Sequence, residues 1–304
     1  MTTISSSATS FKLWFAAIKP PMYTVAIIPI WVGTAVAVAE QHLLNLRIFS
    51  TFVTAAILII AWLNLSNDVF DSETGIDKNK SHSLVNLTGN KSLIFSLANL
   101  CLILGLAGIV AIAVWQQDLT ILALILGCCA LGYSYQGPPF RLGYQGLGEP
   151  ICFLTFGPMA LAAAYYSQTQ SWQGLVNHPI PFLVASSFIG LSTSIILFCS
   201  HFHQVDDDQA AGKRSPIVRL GTQRGATLLS YVTGFIFLEL AIAISLGYLS
   251  PWVFLTFLSL PIAIQLCRHV QRHHNQPQQV SNCKFIAVNL HFLSGLLLGI
   301  SLTL

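Results

Sequence analysis

Charged residues are scarce in this 304-residue chain, at 8% of the total, whereas an ordinary soluble domain carries about 25%. So few charges cannot cover a surface exposed to water. They are missing altogether from long windows such as Val25 to Ala39 and Leu93 to Gln117, and about 20 apolar residues are enough to cross a hydrocarbon core of about 30 Å. The low charge therefore excludes a water-soluble domain and predicts a helical membrane protein.

Signals of other protein classes are also missing. A secreted protein behind one signal peptide would carry one apolar run near its start, whereas apolar runs recur here along the whole chain. No stretch shows the alternating pattern of a membrane β-barrel, so the predicted class is all-α. The seven cysteines show no CxxC spacing, and we interpret those in apolar runs as small core residues: Cys101, Cys128, Cys129, Cys152 and Cys199.

Hydropathy predicts about nine transmembrane helices in a single polytopic domain that covers residues 1–304. The first residues, 1–11, are polar and are expected to form a disordered tail. The predicted spans are at about 22–39, 50–67, 93–115, 119–135, 150–167, 180–202, 227–248, 251–267 and 284–303.

The charges that are present lie almost entirely on one side of these spans. With the N-terminus in the cytoplasm, thirteen of the fourteen Lys and Arg residues are cytoplasmic and only Arg47 is outside, as the positive-inside rule requires. That rule does not ask for acids, yet most of them follow the bases and need another explanation: Asp68, Asp71, Glu73, Asp77, Glu149, Asp206, Asp207 and Asp208.

The first acidic motif follows the second span. If that helix continues to Asp71, one face carries two carboxamides and two carboxylates at i, i+3, i+4 and i+7: Asn64, Asn67, Asp68 and Asp71. Gly75 then permits a turn that brings Asp77 back. Clustered carboxylates repel one another unless a cation lies among them, and oxygen ligands suit Mg²⁺. The alternative is a solvated loop with helix-capping acids.

The second acidic motif follows the sixth span. Gln204 and Asp208 lie one helical turn apart, with Asp206 and Asp207 between them. Mg²⁺ commonly binds through one or two carboxylates plus substrate phosphates, and Lys and Arg add bonds to phosphate oxygens. Two acidic loops with basic neighbours on one side therefore predict a diphosphate cradle, in which the bases are Lys78, Lys80, Lys91, Lys213 and Arg214.

Two other features leave alternatives open. The turn-rich loop after the fourth span offers Arg141 for a carboxylate or phosphate and the Tyr135 ring for a nearby cation, while Tyr133 and Tyr144 also suit an interfacial aromatic belt. Glu239 is a carboxyl within a span. It is either functional or hydrogen-bonded between helices.

The two acidic motifs resemble those of the UbiA superfamily of intramembrane aromatic prenyltransferases: Asn67-Asp68-x-x-Asp71 with Asp77, and Asp206-Asp207-Asp208 with Gly212-Lys213-Arg214. Their spacing and the loop from Tyr135 to Glu149 are similar to the branch that prenylates naphthoates for menaquinone and phylloquinone. The resemblance implies a UbiA-like bundle. It also implies transfer of a prenyl group, with phytyl expected, from its diphosphate to 2-carboxy-1,4-naphthoquinone or 1,4-dihydroxy-2-naphthoate with loss of the carboxylate.

The resemblance also implies roles for individual residues. Mg²⁺ is the expected cofactor, and the expected metal-binding and catalytic residues are Asp68, Asp71, Asp77, Asp207 and Asp208. The expected substrate-binding residues are Asn64, Asn67, Lys78, Lys80, Lys91, Tyr135, Arg141, Gln204, Lys213 and Arg214. Many relatives have Asp where this chain has Gln204, so the second metal site here depends on Asp207 or Asp208.

The remaining expectations concern partners and rival functions. Membrane lipid is an expected partner, nucleic acid is not, and the expected location is a cyanobacterial-type inner or thylakoid membrane. One rival is another UbiA activity, with homogentisate or chlorophyllide as the acceptor. The other is a membrane transporter, which predicts ionisable groups in several spans, whereas only Glu239 is placed so.

Overall fold

The computed structural model of the protein describes residues 20–76 and 83–304. All regular secondary structure in these two ranges is helical, which confirms the predicted all-α class. Four predictions concern positions outside the described residues: the disordered tail over residues 1–11, and the site roles of Asp77, Lys78 and Lys80.

Nine apolar helices form the described part of the bundle, as expected. Eight are long and apolar enough to cross a membrane, and the fourth, with 17 residues, is shorter. They are α1 (Pro20–Gln41), α2 (Leu46–Thr74), α3 (Lys91–Gln116), α4 (Thr120–Gln136), α5 (Gly148–Thr169), α6 (Pro179–His203), α7 (Thr222–Ser245), α8 (Pro251–His273) and α9 (Pro277–Leu302).

Several helices extend further than their apolar stretches. The predicted second span ends at residue 67, but α2 continues to Thr74. The predicted seventh span begins at residue 227, but α7 begins at Thr222. Hydropathy detects only apolar side chains, whereas helical hydrogen bonds continue through polar residues at the membrane edge. The extension of α2 carries the first acidic motif.

The interior consists of two main hydrophobic clusters that share α1. One joins α1 with α5 to α9, around buried side chains such as Tyr165, Phe188 and Leu298. The other joins α1 with α2 to α5, around Phe52 and Ile109. The close crossing of α1 and α5 requires Gly33, because a Cβ there would lie 2.6 Å from the carbonyl oxygen of Leu161.

The outer surface of the bundle is apolar, as lipid contact requires. On α3 alone, nine large apolar side chains are exposed, among them Leu97, Leu100, Ile103, Leu104 and Val114. Such a surface on a water-soluble protein would cause aggregation, whereas hydrocarbon chains solvate it without cost. The protein is therefore a multi-pass membrane protein. All seven cysteines are free thiols, and of the five interpreted as core residues, Cys129 and Cys199 are buried whereas Cys101, Cys128 and Cys152 are half-buried.

Candidate functional site

The first acidic motif is held by the last two turns of α2. Asn67, Asp68 and Asp71 lie within that helix, so the predicted shared face is present. The Asn67 Nδ2 donates to Asp71 Oδ2 at 2.7 Å. Asp68 is buried, and its Oδ2 accepts the backbone N–H of Leu84 at 3.0 Å. Asp68 therefore attaches α2 to the short helix Leu84–Thr88.

The end of α2 also has the predicted turn. Gly75 adopts a left-handed conformation with φ 77°, and its N–H donates to the carbonyl of Asp71 at 3.1 Å. One helical turn before the acids, the amide nitrogen of Asn64 is buried without a hydrogen-bond partner among the described residues. A buried polar atom without a partner is costly, so this position suits a ligand that can bond to the carboxamide.

Lys91 and Arg141, both predicted to bind the substrate, contact the carboxylate of Glu73 in the structure. Lys91 Nζ lies 2.7 Å from Glu73 Oε1, and the Arg141 guanidinium lies 3.5 Å from Glu73 Oε2. All three side chains are partly exposed, and exposed ion pairs contribute little to stability. Such pairs are readily exchanged, so the role of Lys91 and Arg141 toward a phosphate stays a prediction.

One carboxylate of the second acidic motif points into the protein interior. Asp208 is fully buried, and its two oxygens lie 3.2 Å from His201 Nδ1 and 3.2 Å from Lys213 Nζ. Burial raises the pKa of Asp208, but the hydrogen bond to His201 and the charge of Lys213 outweigh it and hold that pKa below its ordinary value. Asp208 therefore stays ionised inside an internal charge network.

The network continues through the far side of the imidazole. His201 Nε2 lies 3.3 Å from Glu149 Oε1, at the start of α5. Both ring nitrogens of His201 thus face carboxylates. The contacts also connect α5, the end of α6 and the short helix Val205–Ala210.

The other two acids of this motif face outward. Asp206 and Asp207 are exposed, and Gln204 is half-buried. The position of Gln204 departs from the aspartate of many relatives, and Asp208 is already engaged by His201 and Lys213. Among the predicted metal ligands in this motif, Asp207 is therefore the carboxylate best placed to meet a metal ion.

Tyr144 lies between the two acidic motifs. Its hydroxyl donates to Asp71 Oδ1 at 3.4 Å and shares a 2.7 Å hydrogen bond with Thr74. Its carbonyl accepts the backbone N–H of Arg214 at 2.8 Å, and Lys213 Nζ lies 6.0 Å from the centre of its ring. Burial raises the pKa of Tyr144 to about 12, so the hydroxyl remains a proton donor.

The loop around Tyr144 is held in place by its glycines. Gly146 has φ 78°, and a Cβ there would lie 2.6 Å from the carbonyl oxygen of Arg214. Tyr135 packs in the same way, because Cβ atoms at Gly143 and Gly148 would lie 2.6 and 2.8 Å from its ring. The loop therefore brings Tyr135, a predicted site residue, against the start of α5.

The carboxylates fit a metal that is shared with a substrate. Within residues 20–76 and 83–304, no group of three or more His, Cys, Asp or Glu side chains is arranged to hold a metal ion. Mg²⁺ needs no such cage, since it commonly binds through one or two carboxylates and substrate phosphates. Asp68 and Asp71 in α2 and Asp207 after α6 are carboxylates of this kind, and their role as metal ligands stays a prediction.

Residues 26–294 match the model of the UbiA prenyltransferase family. The chain belongs to this family. It is 56% identical to the 2-carboxy-1,4-naphthoquinone phytyltransferase of Synechocystis over 97% of the chain and 94% of that relative. It is also 41% identical to the chloroplastic enzyme of that name from Arabidopsis thaliana, over 96% of the chain and 77% of the relative. The UbiA assignment makes the chain a prenyltransferase.

Solved structures of UbiA homologs share the fold. One from Aeropyrum pernix K1 has a TM-score of 0.71 at 12% identity, with 93% of this chain and 97% of that chain covered. Another, from Archaeoglobus fulgidus and bound to GPP and Mg²⁺, has a TM-score of 0.61 at 15% identity, with 94% and 99% covered. The predicted UbiA-like bundle is thereby confirmed.

The sequence analysis assigned no site role to four residues at this end of the UbiA bundle: Glu73, Tyr144, Glu149 and His201. Their partners are distant in the chain, as in the pair of Tyr144 and Asp71, 73 residues apart. No spacing rule reaches so far. The sequence offered one indication of their importance, which is that each is a polar residue next to a motif at the membrane edge.

Glu239 lies apart from the acidic motifs. Its Oε2 accepts a hydrogen bond from Ser187 of α6 at 2.8 Å. The sequence left two interpretations of Glu239 open, and this contact favours the one in which its side chain forms a hydrogen bond between helices.

Proposed function

We propose that this prenyltransferase transfers a phytyl group from phytyl diphosphate to 1,4-dihydroxy-2-naphthoate, the reduced form of 2-carboxy-1,4-naphthoquinone. The observation that carries the proposal is the meeting of both acidic motifs at Tyr144, in a chain 56% identical to a relative with this named activity. The geometry supports a diphosphate site, and the likeness to the named relatives supports the choice of prenyl group and acceptor.

The metal in this proposal is Mg²⁺, held by Asp68, Asp71 and Asp207, with Asp77 as a further expected ligand. When bound, it supplies positive charge that stabilises a departing diphosphate. We assign Asp208 to the positioning of Lys213, because the two form a 3.2 Å ion pair. Lys213 and Arg214 add positive charge to the same end of the bundle, and Asn64 and Asn67 offer amide donors.

The proposed reaction balances without an oxidant or a net proton. The C–O bond between the phytyl carbon and its diphosphate breaks, and diphosphate leaves with the electron pair. The electron-rich ring then forms a C–C bond to the allylic carbon, and the ring carboxylate leaves as carbon dioxide. Tyr135, in the last turn of α4, is the aromatic residue that we assign to stabilising the developing cation.

The proposed orientation follows from the charges. Asp71, Tyr144 and Arg214 meet at one end of the bundle, and nearly all basic residues belong to segments at that end. We therefore place this end and the N-terminus in the cytoplasm. The host membrane is proposed to be an inner or thylakoid membrane of cyanobacterial type.

The test is a prenyl-transfer assay on membranes that contain the full chain. We expect a prenylated naphthoquinol and carbon dioxide from phytyl diphosphate and 1,4-dihydroxy-2-naphthoate, and we expect chelation of Mg²⁺ to abolish both. Asp68→Asn and Asp207→Asn should each reduce kcat/KM by about 100-fold or more, since each removes a carboxylate proposed to hold the Mg²⁺ whose positive charge stabilises the leaving group. Asp118→Asn, a matched change at the opposite end, is the control.

Two results would contradict the proposal. Full activity in both aspartate variants would exclude the proposed Mg²⁺ site. A preference for homogentisate or chlorophyllide over the naphthoate in a substrate panel would keep the prenyltransferase but replace its acceptor.

A further inference from the structure

The outer face of α8 carries a groove that lies outside the acidic motifs. Its volume is about 350 Å³. The side chains that line it recur at helical spacing and form one stripe along the helix, which includes Pro261, Ile264, Arg268, His269, Arg272 and His273. The groove therefore runs from an apolar half to a basic half of the same helix.

The two halves lie at different depths of the bundle. Pro261 and Ile264 are exposed on the span itself, where hydrocarbon chains surround the protein. Arg268 and Arg272 lie in the last turns of α8. Because consecutive spans alternate in direction, α2, α4, α6 and α8 all end on one side, so these arginines are at the acid-rich end of the bundle.

Within residues 20–76 and 83–304, no carboxylate pairs with the basic half of the groove. Arg268 and Arg272 are exposed and lie one helical turn apart, where like charges repel. Neither forms an ion pair with a carboxylate in the described part of the chain. Next to them, His269 Nε2 and His273 Nδ1 are buried without hydrogen-bond partners among those same residues. The groove is thus lined by two exposed arginines and by two histidines that each have a nitrogen without a partner.

We propose that this groove binds an anionic phospholipid. The phosphate lies between Arg268 and Arg272, whose guanidinium groups bond phosphate oxygens in pairs, and His269 and His273 extend the polar contacts. One acyl chain follows Ile264 toward the middle of the membrane. A soluble phosphate would leave the apolar half without a contact, whereas basic sites at the ends of membrane helices attract anionic lipid headgroups.

The test measures lipid retention by the purified full-length protein with native mass spectrometry. Phosphatidylglycerol and phosphatidylcholine of equal chain length are added at equal concentration. We expect the wild type to retain the anionic lipid about tenfold better, from two arginines near the headgroup. Arg268→Gln with Arg272→Gln should abolish that preference, and Arg268→Lys with Arg272→Lys, which keeps the charge, should lose only part of it.

The matched control removes two charges elsewhere on the same side. Arg224→Gln with Lys284→Gln changes the net charge equally and should keep the wild-type preference. Equal loss in this control would overturn the proposal, because it would show a general effect of charge. Equal retention of both lipids by the wild type would overturn it as well.

Competition distinguishes the lipid from other phosphates. Inorganic diphosphate and geranylgeranyl diphosphate are added to the protein that already holds phosphatidylglycerol. We expect neither to displace the lipid from the groove. Displacement by either one that requires Arg268 and Arg272 would overturn the proposal in favour of a substrate-capture site.

Discussion

Individual side chains divide the acids of this protein into two kinds. Asp208 is surrounded by His201, Lys213 and the protein interior, and a buried charge of this kind is tolerated only because it is paired. Asp207, its neighbour, is exposed and can meet a ligand. Adjacent residues of the same type therefore have different tasks, because successive positions of a helix point about 100° apart.

Tyr144 is expected to position the first motif relative to the second. Tyr144→Phe keeps the ring and the backbone bond to Arg214 but removes the hydroxyl that donates to Asp71. A hydrogen bond to a charged group contributes about 1 to 2 kcal/mol, so kcat/KM for prenyl transfer should fall by roughly 5- to 30-fold. Steady-state kinetics with varied prenyl diphosphate measures this.

Tyr133→Phe is the matched control for that change. Tyr133 lies near the end of α4 and contacts the same loop, because its hydroxyl donates to the carbonyl of Pro138 at 2.7 Å and not to an acidic motif. Its kcat/KM should remain within about twofold of the wild type. Equal losses in the two variants would show that loop stability, and not the contact with Asp71, sets the rate.

Among the structural elements, the loop between α4 and α5 joins the two halves of the site. It contacts α2 through Tyr144 and the second motif through Arg214. The Arg219 guanidinium adds hydrogen bonds to the carbonyls of Arg214 and Gln145. A loop with so many backbone contacts is held in one conformation, and this conformation determines how far apart the two motifs lie.

Gly146→Ala is expected to disturb this loop. The new alanine must adopt a positive φ, which costs about 1 to 2 kcal/mol for any residue with a Cβ. The alanine Cβ would also lie 2.6 Å from the carbonyl oxygen of Arg214. Gly212→Ala has the same backbone cost at φ 70°, with no atom within 4 Å of the new Cβ. Thermal unfolding in detergent compares the two variants.

Of the two variants, Gly146→Ala should lose more stability, because only its Cβ is crowded by another atom. Crowding of this kind costs about 1 to 3 kcal/mol, so Gly146→Ala should unfold at a clearly lower temperature than Gly212→Ala. Equal unfolding temperatures would mean that the loop can move away from Arg214 without cost, and the loop could then not be rigid.

At the scale of the whole molecule, the two ends of the bundle differ in composition. One end gathers both acidic motifs and their basic neighbours. At the other end, Arg47 lies 3.6 Å from the centre of the Trp115 ring, and Glu40 accepts a hydrogen bond from the Tyr165 hydroxyl at 2.6 Å. Both of these charged side chains therefore have partners within the protein.

Cysteine labelling can test the proposed orientation. Gln209→Cys places a thiol on an exposed position beside the second motif, and Leu43→Cys places one at the opposite end. In intact cells a membrane-impermeant maleimide should label only the Leu43 variant. Inverted vesicles should give the reverse result, with the wild-type chain as the blank. Labelling of the Gln209 variant in intact cells would reverse the orientation.

The sequence by itself determined the membrane class, the number of helices and the acids of both motifs. These follow from residue type and from helical periodicity, which are local properties. The family resemblance rested on motif spacing and was equally local. For the same reason, the shared face of Asn64, Asn67, Asp68 and Asp71 could be predicted before the structure was known.

Only the tertiary structure decided which polar side chains meet. The contacts of Asp208 with His201, of His201 with Glu149 and of Tyr144 with Asp71 join different helices. Periodicity tells which face of a helix a residue occupies, but not which neighbour packs against that face. Two carboxylates that look alike in the sequence, Asp207 and Asp208, were therefore separated only by folding, because burial and partners are properties of the assembled bundle.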